Sequence, residues 1–449
     1  MAKFRKSEHP DQGFLLPPSP RDWLPKGHLA WFIQDAVNAL DIDNLIDSYR
    51  ISGKGELPYP PRVMLQLLIY AYCTGTFASR KIAAQIEDSI AFRVLAAGHT
   101  PHHRTICRFR EAHLDEFNLL FVQVLEIAIE AKLVKMGTIA IDGSKFKANA
   151  SRHKAMSYER MQSEEKRLSE EIAKLTNAAK AQDDIDDDTF GPDVRGDELP
   201  AEIHRREQRL ETIAKAKKTL EERKAMEAKA KQEAKAPAPS VNQPAAEESA
   251  EEPAAEQKED VKPEPKDQTN FTDPESRIMR TAGKAFEQCF NTQIAVDDAH
   301  QIIVAGVVTQ SSNDSGQLLP VLKTSIENTN IVAERVLADA GYKGESVFAE
   351  LEAMKIDACI AVGREGKGAK PPKKEQPLTA AMRIKLKTKE GREHYRRRKH
   401  VVEPVFGWVK HVLGFRAFSM RGLRKVAGEW SLVCLALNLR RMATMGVKL

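Results

Sequence analysis

Three carboxylates stand where apolar segments end or are interrupted, and they are the first candidates for chemistry. Asp142 interrupts a β-branched segment, GTIAIDGSKFKA, and Asp339 ends another in VLADAGYKG. Glu403 lies in a helical pattern, HYRRRKHVVEPVFGWVKHVLGFRAF. Asp142 also has a plain structural explanation, because Asp-Gly between apolar segments is a strong hairpin signal. Taken alone, the local pattern predicts that Asp142 is a turn residue.

Acids brought together from two strands and a helix would suit divalent metal ions. Three carboxylates cannot all ionise cheaply at close range, and a cation relieves their repulsion. Two Mg²⁺ ions about 3.5 to 4 Å apart would stabilise the attacking and the leaving oxygen of a phosphodiester. Asp142, Asp339 and Glu403 are therefore candidates for catalytic residues and for metal ligands of two Mg²⁺ ions, with Mn²⁺ as a substitute.

Glu403 lies within the most basic part of the chain. Residues 364–425 contain 19 Lys and Arg against 5 Asp and Glu, which is typical of a surface that binds a phosphate backbone. Lys410 follows Glu403 by seven residues, two turns of an α-helix, so both are expected on one face. The predicted DNA-binding residues of this region are Lys410, Arg397, Arg398, Lys399 and Arg416.

The N-terminal residues show helical spacing. Within them, SRKIAAQIEDSIAFRVLAAG followed by PHHRTICRFREAH resembles a helix-turn-helix pair whose basic second helix would enter the major groove of DNA. Arg104 and Arg108 are its candidate DNA contacts. A helical bundle with an ordinary polar face explains the same pattern equally well.

A helical insertion is expected after the first acid. Met161, Leu168 and Leu175 repeat every seven residues, and a second apolar stripe runs from Ile203 to Leu220. The two stripes predict an antiparallel helical hairpin or coiled coil, paired within one chain or between chains. The stretch AQDDIDDDTFGPDVRGD between them lacks the spacing of a Ca²⁺ loop and is predicted to be a solvated loop.

The remaining pattern predicts an α/β fold. A first strand near residues 139–147 is followed, beyond the insertion, by the order β, β, α, β, α, β and then basic helices. Asp297 and Asp298 suit the turn of a hairpin, and the next helix is expected to be capped near Asn313 or Asp314. The predicted segments are a helical N-terminal DNA-binding domain (1–130), the first strand of the catalytic core (136–154), the helical hairpin (155–235), an acidic Pro/Ala/Glu-rich disordered tether (236–270) and the rest of the core with basic C-terminal helices (271–449).

Composition indicates a soluble protein of a reducing compartment. Charged residues make up 30% of the 449, and the most apolar window, VMLQLLIYAYC, is too short to span a bilayer. The five cysteines form no CxxC pair, and four lie in apolar or amphipathic segments, so buried free thiols are expected. We expect a cytoplasmic protein that joins the nucleoid when bound to DNA, with no membrane partner and no small-molecule substrate.

Weaker candidates have structural explanations that we prefer. Asp273 and Pro274 resemble a helix start, although Glu275 or Arg277 could instead face the active site or flanking DNA. Asp297 could be a fourth acid near the metal, but a turn residue is the better explanation. Trp408 is expected in the core rather than stacked on a base. Four histidines without a cysteine pair are expected to contact DNA or to lie on a plain surface rather than to bind zinc: His99, His102, His103 and His113.

Four segments together resemble a known family. They are, in order, AIDGSKFKANAS, NFTDPESRIM, LADAGYKGE and RRKHVVEPVFGWVKHVLGFRAFSMRGL. The sequence from about Leu15 onward is similar to bacterial insertion-sequence transposases of the DDE class. The resemblance implies a ribonuclease-H-like mixed sheet flanked by helices. It also implies that Asp142, Asp339 and Glu403 are the metal-binding triad and that Lys410 contacts DNA near the cleavage site.

One departure from the family concerns the residues before the glutamate. Related transposases have a tyrosine and an arginine there at set spacing, whereas Tyr395 is one residue off and Lys399 stands at the arginine position. Tyr395 is therefore not carried over as a site residue.

The resemblance also implies what the protein does. It would bind the terminal inverted repeats of its element as a homodimer on double-stranded DNA, cleave the ends and join the 3′ ends to target DNA. Two alternatives remain: a ribonuclease-H-like nuclease without strand transfer, and an inactive DNA-binding protein derived from a transposase.

Overall fold

The chain divides into two compact units. The first consists of Met1–Lys147 together with Phe290–Leu449, and the second is Ala148–Cys289. The first unit is therefore made from two separate pieces of the chain. The computed structural model describes residues 19, 22–49, 57–190, 201–233, 262–281, 283, 285–363 and 376–449.

Helices form the N-terminal part of the first unit. They are α1 (Leu29–Ala39), α2 (Asp43–Asp47), α3 (Pro61–Cys73), α4 (Ser79–Asp88), α5 (Ile90–Leu95), α6 (His103–Ala112) and α7 (Leu114–Glu130). Pro61 begins α3 at a position where its missing N–H costs no helical hydrogen bond. Residues 63–73 behind it are all buried. This part confirms the predicted helical N-terminal region.

The strands are β1 (Thr138–Lys147), β2 (Ala155–Ser157), β3 (Gln268–Asn270), β4 (Arg277–Arg280), β5 (Phe286–Asp297), β6 (Ile303–Thr309), β7 (Arg335–Ala338) and β8 (Asp357–Ile360). In the first unit they are ordered β6-β5-β1-β7-β8. β5 and β6 form an antiparallel hairpin, and β1, β7 and β8 are parallel. The sheet is therefore mixed, as predicted.

Hydrogen bonds show how the hairpin joins β1. Asp298 N donates to Thr138 O, and Thr292 Oγ1 donates to Ser144 O at 2.9 Å. Later residues of β5 therefore pair with earlier residues of β1, so these two strands are antiparallel. The Asp297 carboxylate accepts from the backbone N–H of Met136 at 2.8 Å and of Ala299 at 2.9 Å. Asp297 is thus the last residue of β5, directly before the turn at residues 298–300, and its carboxylate also fixes the segment leading into β1.

Helices cover the sheet and complete the first unit. The remaining ones are α10 (Leu318–Thr329), α11 (Glu345–Ala353), α12 (Pro377–Lys387), α13 (Lys389–Val401), α14 (Glu403–Gly407), a π-helical turn (Trp408–Val412) and α15 (Leu423–Thr444), with α8 and α9 in the second unit. Most of α15 is buried, and it packs against α7, α3 and β6. Its Gly428 permits the close approach of α7, since a Cβ there would lie 2.7 Å from the Leu114 Cβ.

A buried polar network ties α6 to this central helix. Arg110, on the inner face of α6, donates to the Tyr72 hydroxyl at 3.0 Å and to Phe77 O at 2.8 Å. Tyr72 in turn donates to Glu429 Oε1 of α15 at 3.0 Å. Burial, and then the Glu429 charge, raise the pKa of Tyr72, so its hydroxyl keeps the proton that it donates.

The second unit contains the predicted helical hairpin. Its helices are α8 (Tyr158–Phe190) and α9 (Ala201–Glu233), which pack against each other. Met161 and Leu168 of α8 share a buried core with Ile213 and Leu220 of α9. β2 and β3 pair antiparallel beside this core.

Three expectations for the second unit need correction. The acidic stretch was expected to be a loop, but α8 continues through it to Phe190; residues 191–200 lie outside the described part. Residues 268–270, expected in the tether, form β3, because β2 supplies its hydrogen bonds; tether residues 236–261 are not described. Asp273 begins a turn rather than a helix, and its carboxylate accepts from Glu275 N at 3.2 Å.

One expectation for the first unit is also wrong. Neither Asn313 nor Asp314 caps α10, which begins at Leu318 after Gln317.

The expectation of buried cysteines is confirmed for four of the five: Cys107 is exposed and the other four are buried. Among the helices of the described ranges, none is long and apolar enough to cross a membrane.

Candidate active site

Asp142 lies on β1, and Asp339 directly follows the neighbouring parallel strand β7. β1 pairs with β7 so that Ala140 faces Leu337, and the same register continued by two residues sets Asp142 opposite Asp339. Adjacent strands lie about 4.8 Å apart, so the two carboxylates project from neighbouring backbones. Asp142 lies inside β1, which excludes the hairpin-turn explanation.

Arg398 joins the first acid to Glu403. It lies in the last turn of α13, and its Nη1 is 3.2 Å from Asp142 Oδ2 while its Nη2 is 3.5 Å from Glu403 Oε1. The Arg398 side chain is only 10% exposed, whereas that of Glu403 is 53% exposed. Arg398 was expected on a DNA-binding surface, but it is an internal cation of the carboxylate pocket.

Burial dominates the electrostatics of Asp142. It is the largest of the causes that together raise the pKa of Asp142 to about 6, and the charges of Asp339 and Asp314 act in the same direction. Arg398 and the hydrogen bond from Gly143 N, at 2.8 Å, act in the opposite direction. The first acid is thus held in a site where a carboxylate charge is costly, which is the condition that a bound cation relieves.

A third aspartate, Asp314, lies beside the pair. Its Oδ1 accepts from Asn291 Nδ2 at 2.9 Å and from Gln293 Nε2 at 2.7 Å. Gly143 leaves the space for this approach, because a Cβ there would lie 2.3 Å from Gln293 Nε2 and 2.5 Å from Asp314 Oδ1. Glycine at position 143 is therefore a steric requirement of the pocket.

Tyr342 fixes the orientation of Gln293. Its hydroxyl donates to Gln293 Oε1, which turns Nε2 of the same amide towards Asp314. Burial, followed by the charges of the three aspartates, raises the pKa of Tyr342 and keeps this proton in place.

Sequence reasoning missed these polar residues. Asn291 and Gln293 occupy alternate positions of an otherwise apolar strand, FNTQIAV, so they share one face. That pattern was the available signal for them. Asp314 gave no comparable signal, because an acid shortly before a helix resembles a cap.

Lys410 contacts strand β1. It belongs to the π-helical turn, and its Nζ donates to Ser144 Oγ at 2.5 Å and to Lys145 O at 3.1 Å. The prediction of a face shared with Glu403 assumed a regular α-helix, which this π-helical turn interrupts. Lys410 still lies near the acids, since Ser144 follows Asp142 by two residues on β1.

The other predicted DNA contacts lie at exposed positions. Arg397 is 55% exposed and pairs with Asp298. Lys399 is exposed, and Arg416 is exposed with its Nε donating to Lys410 O at 3.1 Å. On α6, Arg104 and Arg108 are exposed, while Ile106, Phe109 and Arg110 face the core.

Two further expectations concern aromatic side chains. Trp408 was expected in the core, but it is 39% exposed, and the Arg440 guanidinium lies 5.2 Å from its ring centroid. The buried tryptophan is Trp430. The expected surface position is wrong for His113, which is 4% exposed. The expectation that these histidines bind no zinc stays a prediction; His102 accepts from Arg104 N at the start of α6.

The donor set suits a hard divalent cation. Asp142, Asp339 and Glu403 offer only carboxylate oxygens, which Mg²⁺ and Mn²⁺ prefer. As the described side chains stand, no three His, Cys, Asp or Glu residues are close enough to share an ion. The Arg398 guanidinium contacts both Asp142 and Glu403 and supplies positive charge between them.

Comparison with known families agrees with this chemistry. Residues 263–439 match the family described as "Transposase DDE domain", and residues 18–112 match "Transposase domain (DUF772)". The first range contains Asp314, Asp339 and Glu403, whereas Asp142 lies outside both. Searches of curated proteins and of solved structures found no match. The two matched ranges cover more than half of the chain, which belongs to the insertion-sequence transposases of the DDE class.

Proposed function

We propose that this transposase binds the terminal inverted repeats of its element, cleaves the DNA at the element ends and joins the freed 3′ ends to target DNA. The observation that carries the proposal is the register of β1 and β7, which sets Asp142 opposite Asp339. Glu403 is linked to the same pair through Arg398. The family implies a DNA substrate and dependence on a divalent metal.

The strand order supports a ribonuclease-H-like core. An antiparallel hairpin, β5 and β6, lies on one side of β1, and the parallel strands β7 and β8 lie on the other. The two opposed acids lie at the carboxyl end of the parallel pair, where ligands of α/β sheets bind.

We assign the metal-binding role to Asp142, Asp339 and Glu403. Two Mg²⁺ ions, when bound, would activate a nucleophile and neutralise charge at the reacting phosphate, and Mn²⁺ is expected to substitute. The three carboxylates hold the positions of the reacting groups. Water attacks the phosphodiester at the element end, and the freed 3′-hydroxyl then attacks target DNA. In-line displacement requires no covalent link between protein and DNA.

Basic residues bind the DNA in this proposal. Lys410, anchored to β1 two residues beyond Asp142, contacts a backbone phosphate near the cleavage site. The exposed Arg397, Lys399 and Arg416 extend that surface.

The helical N-terminal part, 1–130, recognises the element ends. Arg104 and Arg108 lie on the exposed side of α6, and the Arg110 network holds the opposite side of that helix on the core. Both ends must be held together before joining, so a homodimer on DNA is expected. The α8–α9 hairpin buries its own apolar stripe within one chain. Dimer contacts would therefore come from the outer faces of the hairpin or from other parts of the chain.

Two alternatives to this function make different products. A ribonuclease-H-like nuclease would cut DNA without joining ends, and an inactive DNA-binding protein would do neither. The three functions can be distinguished with a DNA fragment that carries the sequence flanking the gene. The fragment is incubated with the protein and Mg²⁺, and the products are separated on a gel.

The matched variants are Asp339→Asn and Asp298→Asn. The proposal predicts cuts at the repeat ends and joined products for the wild type and Asp298→Asn, whose acid pairs with Arg397 outside the pocket. Asp339→Asn should bind the fragment without cutting it. Cuts without joined products would favour the nuclease, and binding without cuts by all three proteins would favour the inactive protein.

A further inference from the structure

We propose that Asp314 is a fourth carboxylate of the metal site, presented to Asp142 and Asp339 by the side-chain amides of Asn291 and Gln293. The inference rests on the proposed metal-dependent function and adds a residue to its site.

The position of Asp314 has no explanation in the local chain. It follows β6 and precedes α10, yet α10 begins four residues later without a side-chain cap. Its backbone carbonyl accepts from Gln317 N at 3.1 Å and closes a turn. The carboxylate is not needed for that turn and is directed towards the sheet instead, where it meets β5.

The amides hold the Asp314 carboxylate in one orientation. Asn291 and Gln293 are 1% and 0% exposed, and both donate to the same oxygen, Oδ1. Metal-ligating carboxylates are commonly oriented in this way, by hydrogen bonds to the oxygen that does not face the ion. Oδ2 is left facing Gly341, where a Cβ would lie 3.5 Å away.

Two glycines bring Asp314 next to the other acids. Gly143 directly follows Asp142, and a Cβ on it would lie 2.5 Å from Asp314 Oδ1. Gly341 follows Asp339 by two residues, and a Cβ on it would lie 2.9 Å from Asp339 Oδ1. The Asp314 side chain therefore lies against the backbone of both acid-bearing segments.

The charge of this group is not balanced. Amides donate hydrogen bonds but carry no charge, and among the described residues no lysine, arginine or histidine forms an ion pair with Asp314. Arg398 is the single cation paired with Asp142. Three aspartates around one arginine leave an excess of negative charge that a divalent ion would neutralise.

A DNA-free binding experiment tests this assignment. Mn²⁺ is titrated at pH 8 into wild type, Asp314→Asn, Asp142→Asn and the control Asp298→Asn, and the unfolding midpoint is followed, since an ion that binds the folded state raises it. An asparagine oxygen at 314 still accepts from both amides, so the variant removes the charge and keeps the hydrogen bonds. The midpoint without Mn²⁺ checks that each variant is folded.

We expect Asp314→Asn to weaken Mn²⁺ binding by about tenfold or more, as Asp142→Asn does, while Asp298→Asn binds like the wild type. If Asp142→Asn loses affinity and Asp314→Asn does not, the role of Asp314 is refuted and the proposed function stands. If neither variant differs from the wild type, the metal site itself is wrong, and the proposed function fails with it.

Discussion

Substitution of Asp142 by asparagine should make the metal-free protein more stable at neutral pH. The side chain is 19% exposed, and burial raises its pKa from 3.8 to about 6. A shift of roughly two units corresponds to about 3 kcal/mol between the two protonation states. Asparagine resembles the protonated acid in shape and charge, so it avoids that cost. Asp142→Asn is therefore expected to unfold with a free energy about 3 kcal/mol higher above pH 7.

The sign of the pH dependence follows from the raised pKa. Near pH 4 and below, Asp142 is protonated in the folded protein, and the wild type and the variant should be about equally stable. Between pH 4 and 6 the unfolded chain has lost this proton while the folded wild type still holds it, so the stability of the wild type falls relative to the variant as the pH rises. Above pH 7 the difference should stay constant.

Denaturant unfolding in the presence of a chelator measures the difference. Trp430 is a suitable fluorescent probe, because it is 1% exposed and its ring centroid lies 5.2 Å from that of Phe146 on β1. Addition of Mg²⁺ should stabilise the wild type and leave Asp142→Asn unchanged. A stability difference that is constant from pH 4 to pH 8, or a variant less stable than the wild type at pH 8, would refute the reasoning.

Two other substitutions probe the same pocket. Arg398→Met removes the cation from a buried pair and should cost about 3 kcal/mol at pH 8 by denaturant unfolding, with a smaller cost when Asp142→Asn is present. Equal costs in both backgrounds would contradict the pairing. Gly143→Ala should cost about 1 to 3 kcal/mol and weaken Mn²⁺ binding, because its Cβ displaces Gln293 and Asp314. The control Gly137→Ala has no atom within 4 Å of its new Cβ and should change little.

The strands of the sheet could be predicted from the sequence, because an apolar β-branched segment between turn residues indicates a strand. That pattern is local and does not depend on which strands pair. The order of the acids along the chain suggested Asp142 and Asp339, and the parallel register then explains why they meet. Asp314 was not predicted as a site residue, because its position depends on a loop that folds back over β5.

Helix geometry limited the prediction around Glu403. The spacing to Lys410 assumed a regular α-helix, whereas the chain changes to a π-helical turn at Trp408. The burial of Arg398 also could not be predicted, because its basic neighbours in the sequence indicated an exposed surface. Only the packing of α13 shows that this arginine of the cluster faces inwards.

The split origin of the first unit has a consequence for its synthesis. Helix α3 is buried along residues 63–73, yet one of its main partners, α15, begins at Leu423. Translation at about 5 to 20 residues per second separates the two helices by roughly 20 to 70 s. During that interval the ribosome-bound chain carries an apolar helix without its partner, which makes α3 a candidate for chaperone binding. The part of the protein that is made first therefore completes its folding last.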